Sequence, residues 1–417
     1  MAVFIYLLIY TAILSSFVSS LNLRSLKTLD ADTLRTYKCS KDIQPSHLIA
    51  DYSMLAKIGS GTFGDVFLVN YTSCNCIFAL KCYKKRSDDY SREIYFGRIL
   101  SDVFIQALQS VEISGKYPEY RHAIVFEWIP YTITDFLNLP SVQDVIPDLM
   151  PSIILSLCQG LVEIHEMGIC HLDIKPGNIL IDADFTPSGE LCYCKPIFID
   201  LGMMSYLSPP EELNSYAIPS RSLTRLGTKV YRPIELYLPL TKDRLTTTLD
   251  IWSFGLTFFA LCSNSRSIFH PLVKSNQTDL IPLFMFRMFS PSSLPQNVCD
   301  PFGFKGRIPS DHSWPSIASE KWHKELVQNY TQLFLADNPS YNVTFGLSII
   351  KDIRSLALSV QNRFGKEVFL ILKGFLRIHP ASRMTAKEAV FRLKQLENGR
   401  LFDQNAISDA EMNESSS

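Results

Sequence analysis

The chain has no excess of charge of either sign. Its 40 Lys and Arg residues stand against 41 Asp and Glu, a net charge of −1 over 417 residues. No basic field therefore marks it as a nucleic-acid binder. Charged residues are scarce altogether, 19% against 47% hydrophobic, which excludes a chain that stays unfolded for want of a core. Internal repeats and low-complexity tracts are missing too. Only the end, 400–417 and above all Ser408 to Ser417, reads as an acidic, serine-rich disordered tail.

The start of the chain also lacks charge, with no acidic or basic residue before Arg24. An apolar run, Ala2 to Leu14, is followed by small residues around Val18-Ser19-Ser20. That pattern predicts a signal peptide over 1–20, then an extension over 21–51, and a protein that is secreted or works in the secretory lumen. The usual positive start is missing, so a retained membrane anchor and a misassigned start codon are alternative readings. Membrane association is expected only through that uncleaved segment. Five N-x-[ST] triplets, at Asn70, Asn276, Asn329, Asn342 and Asn413, fit a lumenal protein but are common by chance. Ten cysteines include the close pairs Cys74/Cys76 and Cys192/Cys194, read as hairpin connections in different lobes and so poorly placed to share zinc. Cys82, Cys158, Cys170 and Cys262 lie in apolar stretches and read as buried thiols.

Tyr52 to Cys82 alternates apolar and polar residues between turn signals, as an antiparallel sheet does. Within it lies Ile58-Gly59-Ser60-Gly61-Thr62-Phe63-Gly64-Asp65-Val66. Strand-like flanks on both sides suit a hairpin flap over phosphates, not a strand-to-helix dinucleotide turn. Its glycines let backbone N–H groups approach phosphate oxygens. Phe78-Ala79-Leu80-Lys81 sets a lysine among apolar neighbours, a costly position unless a carboxylate and phosphates partner it. Glu93, in the helical pattern Ser91 to Leu100, is the first candidate partner; Asp88, Asp89 and Glu112 are the alternatives. Ala123 to Ile129 reads as a buried strand entering a linker, and Pro151 to Met167 as a long helix ending at Gly168.

Further on come His171-Leu172-Asp173-Ile174-Lys175-Pro176-Gly177-Asn178 and Asp200-Leu201-Gly202. They supply an acid, a lysine, an amide and a second acid at the spacing used to move phosphate from ATP to a hydroxyl. Later still are Gly227-Thr228-Lys229-Val230-Tyr231-Arg232-Pro233-Ile234-Glu235, Asp250-Ile251-Trp252-Ser253-Phe254-Gly255 and His379-Pro380-Ala381-Ser382-Arg383. Seven such motifs in order, over about Tyr52 to Glu397, resemble the eukaryotic protein kinases. Tyr231-Arg232 and Ile268 to Phe289 resemble the CMGC group, which includes the cyclin-dependent kinases.

The resemblance implies an α+β, bilobal fold. A small antiparallel N-lobe sheet with one helix spans 52–129. A larger, mainly helical C-lobe spans 130–399, with an enlarged insert at about 265–364. ATP and Mg²⁺ are the implied cofactors and a protein substrate the implied partner. By resemblance Asp173, Lys175 and Thr228 are catalytic, and Asn178 and Asp200 hold the metal. ATP contacts fall to Ile58, Gly59, Gly61, Gly64, Val66, Ala79, Lys81 and Glu93, with Phe126 as gatekeeper and the backbone of Glu127 and Ile129 on the adenine edge. Lys175 and Thr228 favour serine or threonine as acceptor, and Arg383 is expected to pair with Glu235. Leu172 departs from the family's arginine, which leaves phosphates at Ser205, Ser208, Ser220, Ser222 or Thr224 without that cation. A pseudokinase scaffold and a small-molecule kinase are the competing readings.

Overall fold

The computed structural model describes residues 52–61, 64–72, 76–84, 88–113, 119–218, 226–237, 245–264, 269, 281, 285, 343–377 (backbone only to 354) and 380–399. The expected signal peptide, the extension, the tail, most of the insert and four of the five triplets lie outside the described residues. Two compact units divide the chain: the part up to Phe136 with Leu180–Met203, and Leu137–Ile179 with everything from Met204 on.

In the first unit, strands β1 (Tyr52–Ser60), β2 (Gly64–Tyr71), β3 (Cys76–Tyr83), β4 (Ala107–Glu112) and β5 (His122–Glu127) form an antiparallel sheet ordered β1-β2-β3-β5-β4. Alternation along β3 sends Cys76, Phe78, Leu80 and Cys82 into an apolar cluster with Val69, Val111 and Val125. Ala79, Lys81 and Tyr83 take the other face. Helix α1 (Asp88–Ile99) carries Asp88 and Asp89 in its first turn and Arg98 in its last, each sign matched to the helix dipole. It begins before Ser91, where the apolar pattern alone had it start. A second sheet joins β6 (Tyr131–Thr132), β8 (Ile179–Phe185) and β9 (Leu191–Phe198); helix α2 (Ile133–Leu137) follows β6.

The second unit is mainly helical. Helix α3 (Ile146–Glu166) starts five residues before Pro151. Pro147 occupies its first turn, where an N–H has no helical partner anyway. It is long and apolar enough to cross a membrane by composition, but Ile154, Leu157, Cys158, Leu161 and Ile164 are fully buried, as in a core helix. Helix α4 (Thr248–Cys262) is apolar around nearly its whole circumference, and Trp252, Phe254, Phe258 and Phe259 are sealed from solvent. Helix α5 (Val343–Phe375), broken at Gly365 (φ 84°), begins inside the stretch read as an insert. A last helix, α6, covers 386–399. Short strands β7 (Ile169–Cys170) and β10 (Ser205–Tyr206) pair antiparallel.

Among the described residues Cys82, Cys158, Cys170 and Cys262 are buried and free, as expected. Cys192 and Cys194 are also free, but they lie within β9 and not in a connection, and in the unit that holds Cys76. No group of three His, Cys, Asp or Glu side chains among the described residues could hold a metal. Cys76 is disulfide-bonded.

Candidate active site

The glycine-rich motif is the tip of the β1–β2 hairpin. Gly59 pairs with Val66 and Ser60 with Asp65, and Gly61 N–H bonds the Gly64 carbonyl at 2.9 Å. Glycine is required at 64, because a Cβ there would lie 2.1 Å from the Cys82 carbonyl oxygen. Asp65 fixes the base of the hairpin: it accepts from Ser60 Oγ (2.6 Å) and Tyr120 OH (2.5 Å) and pairs with Lys57 (2.8 Å). Hydrogen bonds from Lys57, then Ser60 and Tyr120, hold its carboxyl well below the usual range.

Register collects the expected nucleotide-contacting residues on one sheet face. Val66 lies opposite Lys81, and Ala79 lies between Leu68 on β2 and Phe126 on β5. Phe126 is buried, as is Ile129 just past the strand, while Ile58, Val66 and Ala79 are half-buried. Glu127 is the last residue of β5, paired with Phe78 and exposed.

Lys81 reaches Glu93 Oε1 and Oε2 at 2.9 and 2.8 Å and Asp200 Oδ1 at 2.7 Å. Of the four candidate carboxylates, Glu93 is therefore the partner; Asp88 and Glu112 are exposed. Burial works against the Lys81 charge, but the Glu93 and Asp200 carboxylates more than offset it, and its pKa is raised above the ordinary lysine range. Glu93 is pushed upward by burial against the opposing pull of Lys81. Tyr83, two residues along the same face as Lys81, gives its hydroxyl proton to Glu93 Oε2. Sequence reasoning missed this tyrosine, although the period of two from Lys81 marks its face. Asp200 adopts φ 65°, a strained setting for a non-glycine residue, and its side chain is 26% exposed.

In the second unit the loop after β7 carries the other group. Asp173 Oδ1 accepts from Thr228 N–H (2.9 Å) and Thr228 Oγ1 (2.7 Å). Its Oδ2 accepts from Lys175 Nζ (2.6 Å) and Asn178 Nδ2 (3.0 Å). Lys175 Nζ also donates to Thr228 Oγ1 at 3.0 Å, so lysine, threonine and acid close a ring. Asn178 spends its Nδ2 on the Asp173 carboxylate and carbonyl, leaving its amide oxygen for a cation. An amide oxygen is a hard donor of the kind Mg²⁺ takes, and in the first unit the part-exposed Asp200 carboxylate is another.

The loop is held from behind. Asp250, buried at the start of α4, accepts the N–H groups of His171 (2.7 Å) and Leu172 (2.9 Å) and lies 3.2 Å from His165 Nε2. Leu172 is buried with φ 67°. A Cβ at Gly227 would meet the Leu172 carbonyl at 2.7 Å, and φ there is +68°, so this position also needs glycine. Arg232 is buried and donates to the carbonyls of Leu226 (2.6 Å) and Gly227 (2.8 Å). Arg383 and Glu235 form the expected buried, bidentate pair at 2.6 and 2.7 Å; Arg383 also donates to the Thr248 carbonyl and lies 5.1 Å over the Trp252 ring. The family model described as protein kinase domain matches residues 52–392.

Proposed function

Since the chain belongs to the protein kinase family, a phosphotransferase family, we propose that it is a serine/threonine kinase, CMGC-like, acting on protein hydroxyls in the secretory pathway or after secretion. The single observation that carries the acceptor class is the Asp173–Lys175–Thr228 ring. It aims one carboxylate and one ammonium at the place where a small hydroxyl would meet the transferring group.

In this reading Asp173 orients the acceptor hydroxyl and takes its proton, and Thr228 fixes the direction of that carboxylate. Lys175 neutralises charge growing on the transferring group, a role worth most in a water-poor site. Lys81, steadied by Glu93, holds the α- and β-phosphates. Gly59, Gly61 and Gly64 bring backbone N–H groups over them, and Ile58, Val66, Ala79 and Phe126 enclose the base. Glu127 and Ile129 supply backbone hydrogen bonds to its edge. Asn178 and Asp200 are the residues for Mg²⁺, which when bound shields the phosphate charge.

Two features support the compartment. One is the charge-free apolar start, Met1 to Ser20. The other is the disulfide at Cys76, since such bonds persist in oxidising compartments. A retained N-terminal anchor would keep the protein on the membrane in the same compartment.

Incubating protein truncated after Ser20 with ATP, Mg²⁺ and a mixed peptide library tests the activity. Phosphoserine or phosphothreonine on peptides is expected. Phosphotyrosine alone would overturn the acceptor class, and ATP binding without any transfer would favour a scaffold. Expression of the full chain in secretory cells, followed by fractionation with and without carbonate wash, separates a secreted protein from an anchored one. Cytosolic recovery would refute both.

A further inference from the structure

Helix α1 is short ahead of its functional carboxylate. It starts at Asp88, so Glu93 lies in only the second turn, 12 residues from Lys81. Little helix precedes Glu93 to fix its direction, and a buried carboxylate that swings away would leave the Lys81 charge to Asp200. The structure carries a second anchor. Tyr83 is fully buried and bonds Glu93 Oε2, the oxygen that also takes Lys81 Nζ at 2.8 Å.

The ring of Tyr83 is itself fixed. It meets Tyr90 edge-on, with centroids 5.2 Å apart at 75°, and Tyr90 lies one turn before Glu93 on α1. Tyr90 in turn packs on His122 at 5.2 Å, and His122 is the cross-strand partner of Tyr83. Strand β3, helix α1 and strand β5 thus meet through three rings and one hydroxyl. Burial and the Glu93 charge raise the Tyr83 pKa well above that of an ordinary phenol, so the hydroxyl keeps its proton. A buried tyrosine with a satisfied hydroxyl is often simply core. Here the acceptor is one of the two carboxylates that pair with Lys81, and that contact separates the two cases.

We propose that Tyr83 is a positioning residue that holds Glu93 on Lys81 before any nucleotide arrives, so that α1 needs no partner protein to bring it into place. The proposal rests on the kinase reading above. Its observable consequences are an intact Lys81–Glu93 pair in the nucleotide-free chain and full turnover by the chain alone.

The test uses the purified full chain, Tyr83→Phe, Glu93→Ala and the double variant. Phenylalanine keeps the ring and its packing on Tyr90 and removes only the hydroxyl. Tyr83→Phe is expected to raise KM for ATP about tenfold, the loss typical of one hydrogen bond to a buried charge, and to leave KM for the acceptor peptide unchanged. Hydrogen exchange over Asp88–Ile99 in nucleotide-free protein should quicken by a similar factor, with β3 and β5 unaffected. In the Glu93→Ala background the same substitution should add less than about twofold. Unchanged ATP kinetics and exchange would overturn the proposal. So would an equal effect with Glu93 already removed, or faster exchange across the whole sheet, since either assigns Tyr83 to packing. A wild-type chain with no phosphotransfer would sink the kinase reading instead, and the exchange measurement would still decide the role of Tyr83.

Discussion

In the first unit the Lys81 ammonium is held by side chains: Glu93 from a helix and Asp200 from just past the end of β9, 119 residues later in the chain. In the second, backbone N–H groups join side chains in fixing Asp173. Asp250 grips two consecutive N–H groups just before it, and Thr228 N–H binds its carboxylate directly. Side-chain ion pairs can exchange partners as elements shift, whereas a loop pinned through main-chain bonds and a left-handed Leu172 moves only if α4 moves with it. The first cluster is held by side-chain contacts, with the Tyr83 hydroxyl among them, and the second by main-chain bonds as well. Substitutions should therefore divide cleanly between nucleotide handling and chemistry.

The sharpest break is Asp173→Asn. Under the proposed roles, removing the proton acceptor should lower phosphotransfer by about 10²–10⁴-fold, and nucleotide affinity should hold because Lys81, proposed to hold the phosphates, belongs to the other cluster. Steady-state phosphorylation and equilibrium nucleotide binding, measured side by side, check this. Equal losses in both would mean the two clusters are not separable.

Next in size is the Arg383–Glu235 pair, which is 0% and 4% exposed at its side chains. Deleting either partner leaves a buried charge with its main countercharge gone, at a cost of about 3–5 kcal/mol. Chemical denaturation of Arg383→Ala and of Glu235→Ala measures it. The comparison sharpens if the loss falls on the second unit, seen as faster exchange over Thr248–Cys262 with the β1–β5 sheet unchanged. Two single variants that melt like wild type would remove the pair from the list of stabilising contacts.

Asp65 offers a smaller and pH-dependent effect in the first unit. Its folded pKa is depressed by the hydrogen bonds from Lys57, Ser60 and Tyr120. A depressed carboxylate adds stability that is complete above its unfolded pKa of about 4 and is lost as pH falls through the folded value. Asp65→Asn should therefore cost about 1 kcal/mol at neutral pH and progressively less below pH of about 4. Denaturation midpoints at several pH values test the sign. A penalty that grows in acid contradicts it.

How far the sequence foretold these contacts depends on what each contact needs. The β1–β2 hairpin was legible because glycines at 59, 61 and 64 sit between alternating strands, and period two is a local signal. Lys81 with Glu93, Asp173 with Thr228 and Arg383 with Glu235 span 12, 55 and 148 positions. They were legible only through resemblance to a family, since no local rule links such distant residues. Helix starts were misplaced where early polar or proline positions belong to the first turn: Asp88 and Asp89 in α1, Pro147 in α3. Tyr83 and the Tyr120–Asp65 bond stayed hidden because they depend on strand register, which a single sequence does not fix.

The smallest expected effect concerns the segment after Asp200. In many relatives by resemblance an arginine stands where Leu172 does, and it meets a phosphate on that segment. Leu172 is buried and offers no charge. Arg232, the buried cation near the end of the segment, bonds the carbonyls of Leu226 and Gly227, ordering that stretch through the main chain without a phosphate. Ser205 is fully buried, and Ser208 is exposed between the end of β10 and Pro209-Pro210. Ser220, Ser222 and Thr224 lie outside the described residues. If carbonyl bonds from Arg232 already do the ordering, phosphate added to the segment meets no built countercharge at position 172 and should change turnover by less than about twofold. Phosphatase treatment, with mass spectrometry to verify removal, measures this against the untreated enzyme. Loss of all turnover would mean that a phosphate-binding cation other than residue 172 governs the segment.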